Sequence, residues 1–237
     1  MDQAKDTSGK EGAVPEPVVS LLQVSKRYPR FVLDPFDLEV GPNRLVGLVG
    51  PNGSGKSTLL RILVGLVRPD SGQVRICGHP VPQRQADAKQ EIGFVSEDMR
   101  LHAGATLRWH ARLVRSLCPA WDENRANNLA ERLGLSWDQR AGSLSRGQTA
   151  KAMLLLALAR RPRLLLLDEA TAALDSEARE DVLGELGRLV SREGVTVLLS
   201  SHHAADLAGR ADEVFQLPEG RWEAFAPSPI RSAVSLR

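Results

Sequence analysis

The sequence predicts an α/β protein with a largely parallel, helix-covered sheet, and three observations carry that prediction. Arg44 to Val49 is an apolar run that stops at Gly50 and leads through a glycine-rich turn into a helical pattern from Lys56 to Val64. Leu164 to Leu167 is a second apolar run, and it ends on two acids, Asp168 and Glu169. After it the patterns alternate: a helix from about Ser176 to Arg192, a strand from Val195 to Ser200, a short helix, and strand-like pieces at Glu213 to Leu217 and Arg221 to Phe225. Uninterrupted apolar strands alternating with helices belong to a sheet buried on both faces.

The remaining elements follow in chain order. Val18 to Val24 and Phe36 to Val40 read as strands ahead of the first buried one, and Gln73 to Cys77 and Ile92 to Val95 as short strands behind it. From Thr106 to Arg160 the pattern turns helical. Leu107, Ala111, Val114 and Cys118 recur at helical spacing behind Thr106, whose hydroxyl suits an N-cap. Asp122 to Leu133 forms a second helix stopped by Gly134, and a third runs from about Ser145 to Arg160, ending before Pro162. Residues 1–17 are polar, carry Gly9, Gly12, Pro15 and Pro17, lack the apolar stretch of a secretory signal, and read as a disordered tail. Pro227 and Pro229 mark residues 226–237 as a second loose tail.

Composition removes several function classes. In 237 residues, 42% hydrophobic and 25% charged is a globular balance, so disorder throughout is excluded. Thirty-one basic against 29 acidic residues leave a net charge of +2, so no bulk field draws the chain to nucleic acid or an anionic membrane. The longest apolar runs fall far short of the ~20 residues a spanning helix needs. Cys77 and Cys118 have no metal-ligand or disulfide spacing, and a reducing cytoplasm is the expected location.

The chemistry lies in two segments. Gly50-Pro51-Asn52-Gly53-Ser54-Gly55-Lys56-Ser57-Thr58 fits the Walker A pattern, in which a glycine-rich turn aims backbone N–H groups at phosphate oxygens. The helix that follows adds its positive N-terminal end. Lys56 suits the β- and γ-phosphates of ATP, and the Ser57 hydroxyl suits a magnesium coordination position. The run ending in Asp168 and Glu169 taken alone reads as a core strand meeting solvent. With a Walker A segment in the same chain, Asp168 becomes the second magnesium support, and Glu169 the group that orients and polarises the attacking water.

Between these segments lies Leu144-Ser145-Arg146-Gly147-Gln148, which resembles the signature motif of the ABC ATPases. Thr171 to Asp175 resembles their D-loop, His202 after Ser200 and Ser201 resembles their switch histidine, and Tyr28 lies where an aromatic stacks on adenine. The resemblance covers Val18 to about Phe225. It implies a P-loop NTPase fold over residues 18–225: a RecA-like core (18–97 and 162–225), a helical subdomain (98–161) and an N-terminal antiparallel β portion. It also implies that Ser145 and Gly147 face the ATP held by another subunit, so that two chains sandwich two nucleotides head-to-tail.

The sequence departs from the family pattern at Arg146, commonly glycine, and at Glu97, where the family ends this strand with glutamine. A carboxylate at Glu97 can still coordinate magnesium but donates no hydrogen bond when ionised. Its other reading is a strand end on a solvated surface. Leu107 and Trp109 fall where the family's helical subdomain receives its membrane partner; the alternative is that they pack internally. The function expected from the resemblance is the cytoplasmic ATPase subunit of a transporter, of the exporter type whose integral-membrane permease subunits are separate chains, with no nucleic-acid partner. The alternative is a soluble ABC ATPase acting in cofactor assembly or on nucleic acid.

Overall fold

The computed structural model describes residues 15–172, 174–202, 207 and 209–216. The strand expected at Arg221 to Phe225, most of the short helix before Glu213, most of the first tail and all of the second lie outside the described residues.

Two sheets organise the chain. Strands β1 (Val19–Tyr28), β2 (Phe31–Val40), β4 (Ser71–Ile76) and β5 (His79–Val81) form an antiparallel sheet in the order β2-β1-β4-β5. Strands β3 (Leu45–Val49), β6 (Ile92–Ser96), β7 (Leu164–Asp168), β8 (Thr196–Ser201) and β9 (Glu213–Gln216) form a parallel sheet in the order β6-β7-β8-β3-β9. Both central strands read from the sequence, β3 and β7, are buried at every residue.

The two-residue period explains why these strands are apolar throughout. Val46 and Leu48 of β3, Leu164 and Leu166 of β7 and Leu198 of β8 point to one side. There they meet helix α1 (Lys56–Leu63) and the antiparallel sheet, so that α1 is packed between the sheets and Leu59, Leu60 and Ile62 are fully buried. Leu45, Val49, Leu165, Leu167, Val197 and Leu199 point to the other side, against helices α5 (Arg146–Leu158) and α6 (Ser176–Glu193).

Helices α3 (Leu107–Leu117), α4 (Glu123–Arg132) and α5 lie between β6 and β7 in the chain. Each begins on a side-chain cap, Thr106 as the sequence predicts and Asp122 and Ser145 just ahead of their helices: they accept from the Trp109, Arg125 and Gln148 backbone N–H groups. This helical block is tied to α6 by charged pairs, Arg125 with Glu193, Arg132 with the buried Glu185, and Lys151 with Asp181 at 2.6 Å. Helix α2 (Gln85–Gln90) and β5 are additions the sequence pattern did not predict.

Candidate nucleotide site

The C-terminal ends of β3 and β7 place the two chemical segments side by side. The turn after β3 closes with Gly53 at φ 82° and Gly55 at φ 105°, conformations open to glycine and strained for other residues. Gly55 caps α1 without a side chain, so Lys56 enters the helix with the first N–H groups of α1 aimed at the turn. Ser54 lies beneath the turn, and its Oγ is buried without a hydrogen-bond partner. An orphaned hydroxyl under a loop of this shape fits a site whose polar groups await a polyanion.

Lys56 is 3% exposed, and its Nζ donates to the carbonyls of Gly50 at 2.7 Å and Pro51 at 3.0 Å. Glu169 Oε1 stands 3.4 Å from the same ammonium. Ser57 Oγ donates to Asp168 Oδ1 at 2.9 Å, and Ser200 Oγ donates to that oxygen at the same distance. The Ser200 hydroxyl also accepts the Glu169 N–H at 2.9 Å, so one serine orients both acids at the end of β7. Glu169 is held at φ 51°, a left-handed conformation that costs a non-glycine residue energy and turns its carboxylate back over the turn.

These groups open on a cleft of about 850 Å³. Tyr28 and Phe31 line it together with Asn52, Gly53, Gly55, Lys56, Ser57 and Thr58 of the turn and first helical residues, and with Glu97, Asp168 and Glu169. Gly50, Ser54 and His202 do not line the cleft, and His202 Nδ1 stands 3.5 Å from Glu169 Oε2. Phe31, whose ring lies 6.4 Å from that of Tyr28, is a second aromatic the sequence reading missed. Its signal was adjacency to Tyr28 across a tight hairpin.

Among the described residues no three His, Cys, Asp or Glu side chains form a metal cage by themselves. The donors are instead hard oxygens, the Ser57 hydroxyl and the Asp168 carboxylate, with Glu97 lining the same cleft. That sparse set fits magnesium, which takes one or two carboxylates and fills its remaining positions from phosphates and water.

Ser145 and Gly147 do not line this cleft. Ser145 is exposed at the start of α5, in a capping box with Gln148: Ser145 N–H donates to Gln148 Oε1 at 3.0 Å and Gln148 N–H to Ser145 Oγ at 3.1 Å. Gly147 is buried, and a Cβ added there would stand 2.7 Å from the Ala178 methyl of α6. Its smallness therefore has a packing reason in addition to the role the resemblance implies. Gly147→Ala is expected to lower stability by about 1–3 kcal/mol, read as a drop in the urea midpoint at unchanged slope.

The resemblance offered two fates for Leu107 and Trp109, and the structure separates them. Leu107 is fully buried and packs internally, whereas Trp109 is 48% exposed. With Leu113 and Leu117 it makes an apolar stripe at four-residue spacing along α3. Beneath it, His110 Nε2 accepts the His102 N–H at 2.9 Å. The ring proton therefore sits on Nδ1, which donates to the Thr106 carbonyl at 2.8 Å.

A phosphate turn after β3, two acids at the end of β7 on the far side of β8, and an inserted helical block already narrow the family. A family model described as ABC transporter matches residues 33–172. The chain belongs to the ABC transporter family. It is 36% identical over 231 residues to the methionine import ATP-binding protein MetN of Rhizobium etli, covering 90% of this chain and 64% of that protein. Identity to the Nod factor export ATP-binding protein I of Burkholderia pseudomallei is 34% over 215 residues, 86% of this chain and 68% of that one. The chain thus spans about two thirds of the length of these relatives. Among solved structures, an ATP binding subunit of an ABC transporter superimposes with a TM-score of 0.79 at 26% identity, covering 90% of each chain. The dimeric structure of a bacterial ABC transporter cassette gives 0.78 at 25% identity, over 90% of this chain and 99% of that one. The fold is that of an ABC ATPase cassette, a P-loop NTPase, as the sequence predicts.

Proposed function

We propose that this chain is the ATP-hydrolysing subunit of an ABC transporter, which binds magnesium–ATP in the cleft beside Tyr28 and pairs head-to-tail with a second ATPase subunit. The observation that carries this reading is the convergence of Lys56, Ser57, Asp168 and Glu169 on one cleft at the ends of β3 and β7. Lys56 exchanges its carbonyl partners for phosphate oxygens. Ser57 and Asp168 would hold magnesium, with Glu97 as a further acceptor, and the ion when bound would neutralise charge on the phosphates. Tyr28 and Phe31 offer ring faces to adenine. Glu169 polarises the attacking water, and His202 positions Glu169.

The integral-membrane partner docks on the helical block, where the exposed stripe of Trp109, Leu113 and Leu117 supplies an apolar face on α3. Among the described residues no helix is long and apolar enough to cross a membrane. The chain then works at the cytoplasmic face of the membrane, and no nucleic-acid partner is proposed for a chain of net charge +2. Export is the direction proposed, supported by the relatives named for Nod factor export. Relatives named for methionine and for sulfate/thiosulfate import, the latter 38% identical over 222 residues, favour a second reading, import. ATP-driven movement in inverted membrane vesicles separates them: accumulation inside means export, and release means import.

Pairing is tested with Glu169→Gln, which holds ATP unhydrolysed. ATP is expected to raise the mass by light scattering toward that of a dimer, and adding Ser145→Arg to return it to the monomer. Ser145→Ala loses the same cap, worth about 1 kcal/mol, without the added bulk, and is the control for helix stability. A dimer that persists in the Ser145→Arg protein would remove α5 from the interface.

A further inference from the structure

The aromatic part of the nucleotide cleft is the tip of the β1–β2 hairpin, where Tyr28, Pro29, Arg30 and Phe31 all line the space. Two strands alone hold such a tip weakly. β1 loses its other neighbour before it gets there: its pairing with β4 stops at Ser25 opposite Ser71, so one edge of residues 26–28 has no strand beside it.

Asp70, the residue before β4, takes the place of that missing strand. Its N–H donates to the Ser25 carbonyl at 2.9 Å, its Oδ2 accepts the Arg27 N–H at 2.8 Å, and its Oδ1 accepts from Lys26 Nζ at 2.8 Å. The Lys26 ammonium and the Arg27 N–H hold the Asp70 carboxyl below the usual carboxylate range, which keeps it charged. Lys26 and Tyr28, two residues apart on one strand, share a face, and the ammonium lies over the Tyr28 ring, 5.6 Å from its centroid. Neither Lys26 nor Asp70 lines the cleft, whereas Tyr28 does.

Asp70 also ties the hairpin to the phosphate turn. Helix α1 starts at that turn, and the segment leaving α1, turned by the Leu66 and Val67 N–H groups that donate to the Arg61 carbonyl, runs into Asp70. One continuous piece of chain, residues 56–70, thus reaches from Lys56 and Ser57 to the end of β1, and Asp70 is where it fastens.

We propose that Asp70 is a positioning residue for the nucleobase: through Lys26 and the end of β1 it fixes the Tyr28 ring, so that the face turned from Lys26 receives the base. The proposal rests on the reading of the cleft as an ATP site and deepens it. Stacking contributes to binding and not to the chemical step, so the effect falls on affinity for ligands that carry a base.

Tyr28 is the chain's one tyrosine, so the full chain grown with isotope-labelled tyrosine gives a single set of ring signals by NMR. Asp70→Asn and Lys26→Met are each expected to shift that signal without nucleotide. Each is also expected to weaken ATP binding about three- to fivefold, the worth of an exposed cation–π contact, with kcat kept and the affinity for inorganic tripolyphosphate unchanged. The two together are expected to weaken ATP no further than either alone, and Lys26→Arg to keep the parent values. An unshifted ring signal in Asp70→Asn overturns the proposal, as does an equal loss of ATP and tripolyphosphate affinity, which would make Asp70 a support of the whole cleft. Additive losses separate Asp70 from Lys26 and overturn the coupling. A parent chain that binds no ATP removes the proposed function and the base with it; a parent that binds ATP beside an Asp70→Asn protein with unaltered ring signal keeps that function and loses only the role of Asp70.

Discussion

Glu169→Gln is expected to cut ATP turnover about a hundredfold or more, the usual worth of a positioned proton acceptor, while ATP affinity holds or rises. Glutamine keeps the size of the side chain and leaves the backbone bond from Glu169 N–H to Ser200 Oγ in place. What it loses is the charge that stands 3.4 Å from Lys56 and 3.5 Å from His202. An amide accepts no proton from an attacking water, so the chemical step suffers. Ground-state binding moves the other way, because a carboxylate next to a triphosphate repels it and holds back the Lys56 ammonium. Phosphate release and nucleotide titration on the same preparation separate the two effects. Turnover at the parental rate would take Glu169 out of the catalytic role.

That both acids and the turn belong to one site was legible because their positions depend on local sequence. A buried strand must end somewhere, and Gly50 and Asp168 mark where β3 and β7 do. Contacts made across the fold left no such mark. Ser200 reads as the last residue of an apolar strand, yet its hydroxyl aligns Asp168 and Glu169. Gly147 reads as a motif glycine, and its packing on Ala178 depends on how α5 crosses α6. Among the elements, β1 and β2 run further than their apolar cores. Lys26 to Tyr28 pair with Phe31 to Leu33 through backbone bonds, which carry no side-chain period. Helix α2 was missed because Ala88 is its one buried residue, too little for a helical stripe to show.

Lys56→Ala is expected to weaken ATP binding about a hundredfold and to abolish turnover, a loss equal to one or two hydrogen bonds from a charged group at ~1.5–3 kcal/mol each. Two causes add. The ammonium that would exchange the Gly50 and Pro51 carbonyls for phosphate oxygens is gone. Glu169, no longer neutralised by the lysine, faces the incoming triphosphate with more of its negative charge uncompensated. The second cause can be removed by itself: the double variant Lys56→Ala with Glu169→Gln is expected to recover part of the lost affinity and none of the turnover. Calorimetric titration of the single and double variants reads this directly, with circular dichroism checking that loss of so buried a side chain leaves the fold intact. If the double variant binds ATP no better than Lys56→Ala alone, the Glu169 carboxylate does not share a field with the phosphates. It then stands too far from the γ-phosphate to polarise the water that attacks it.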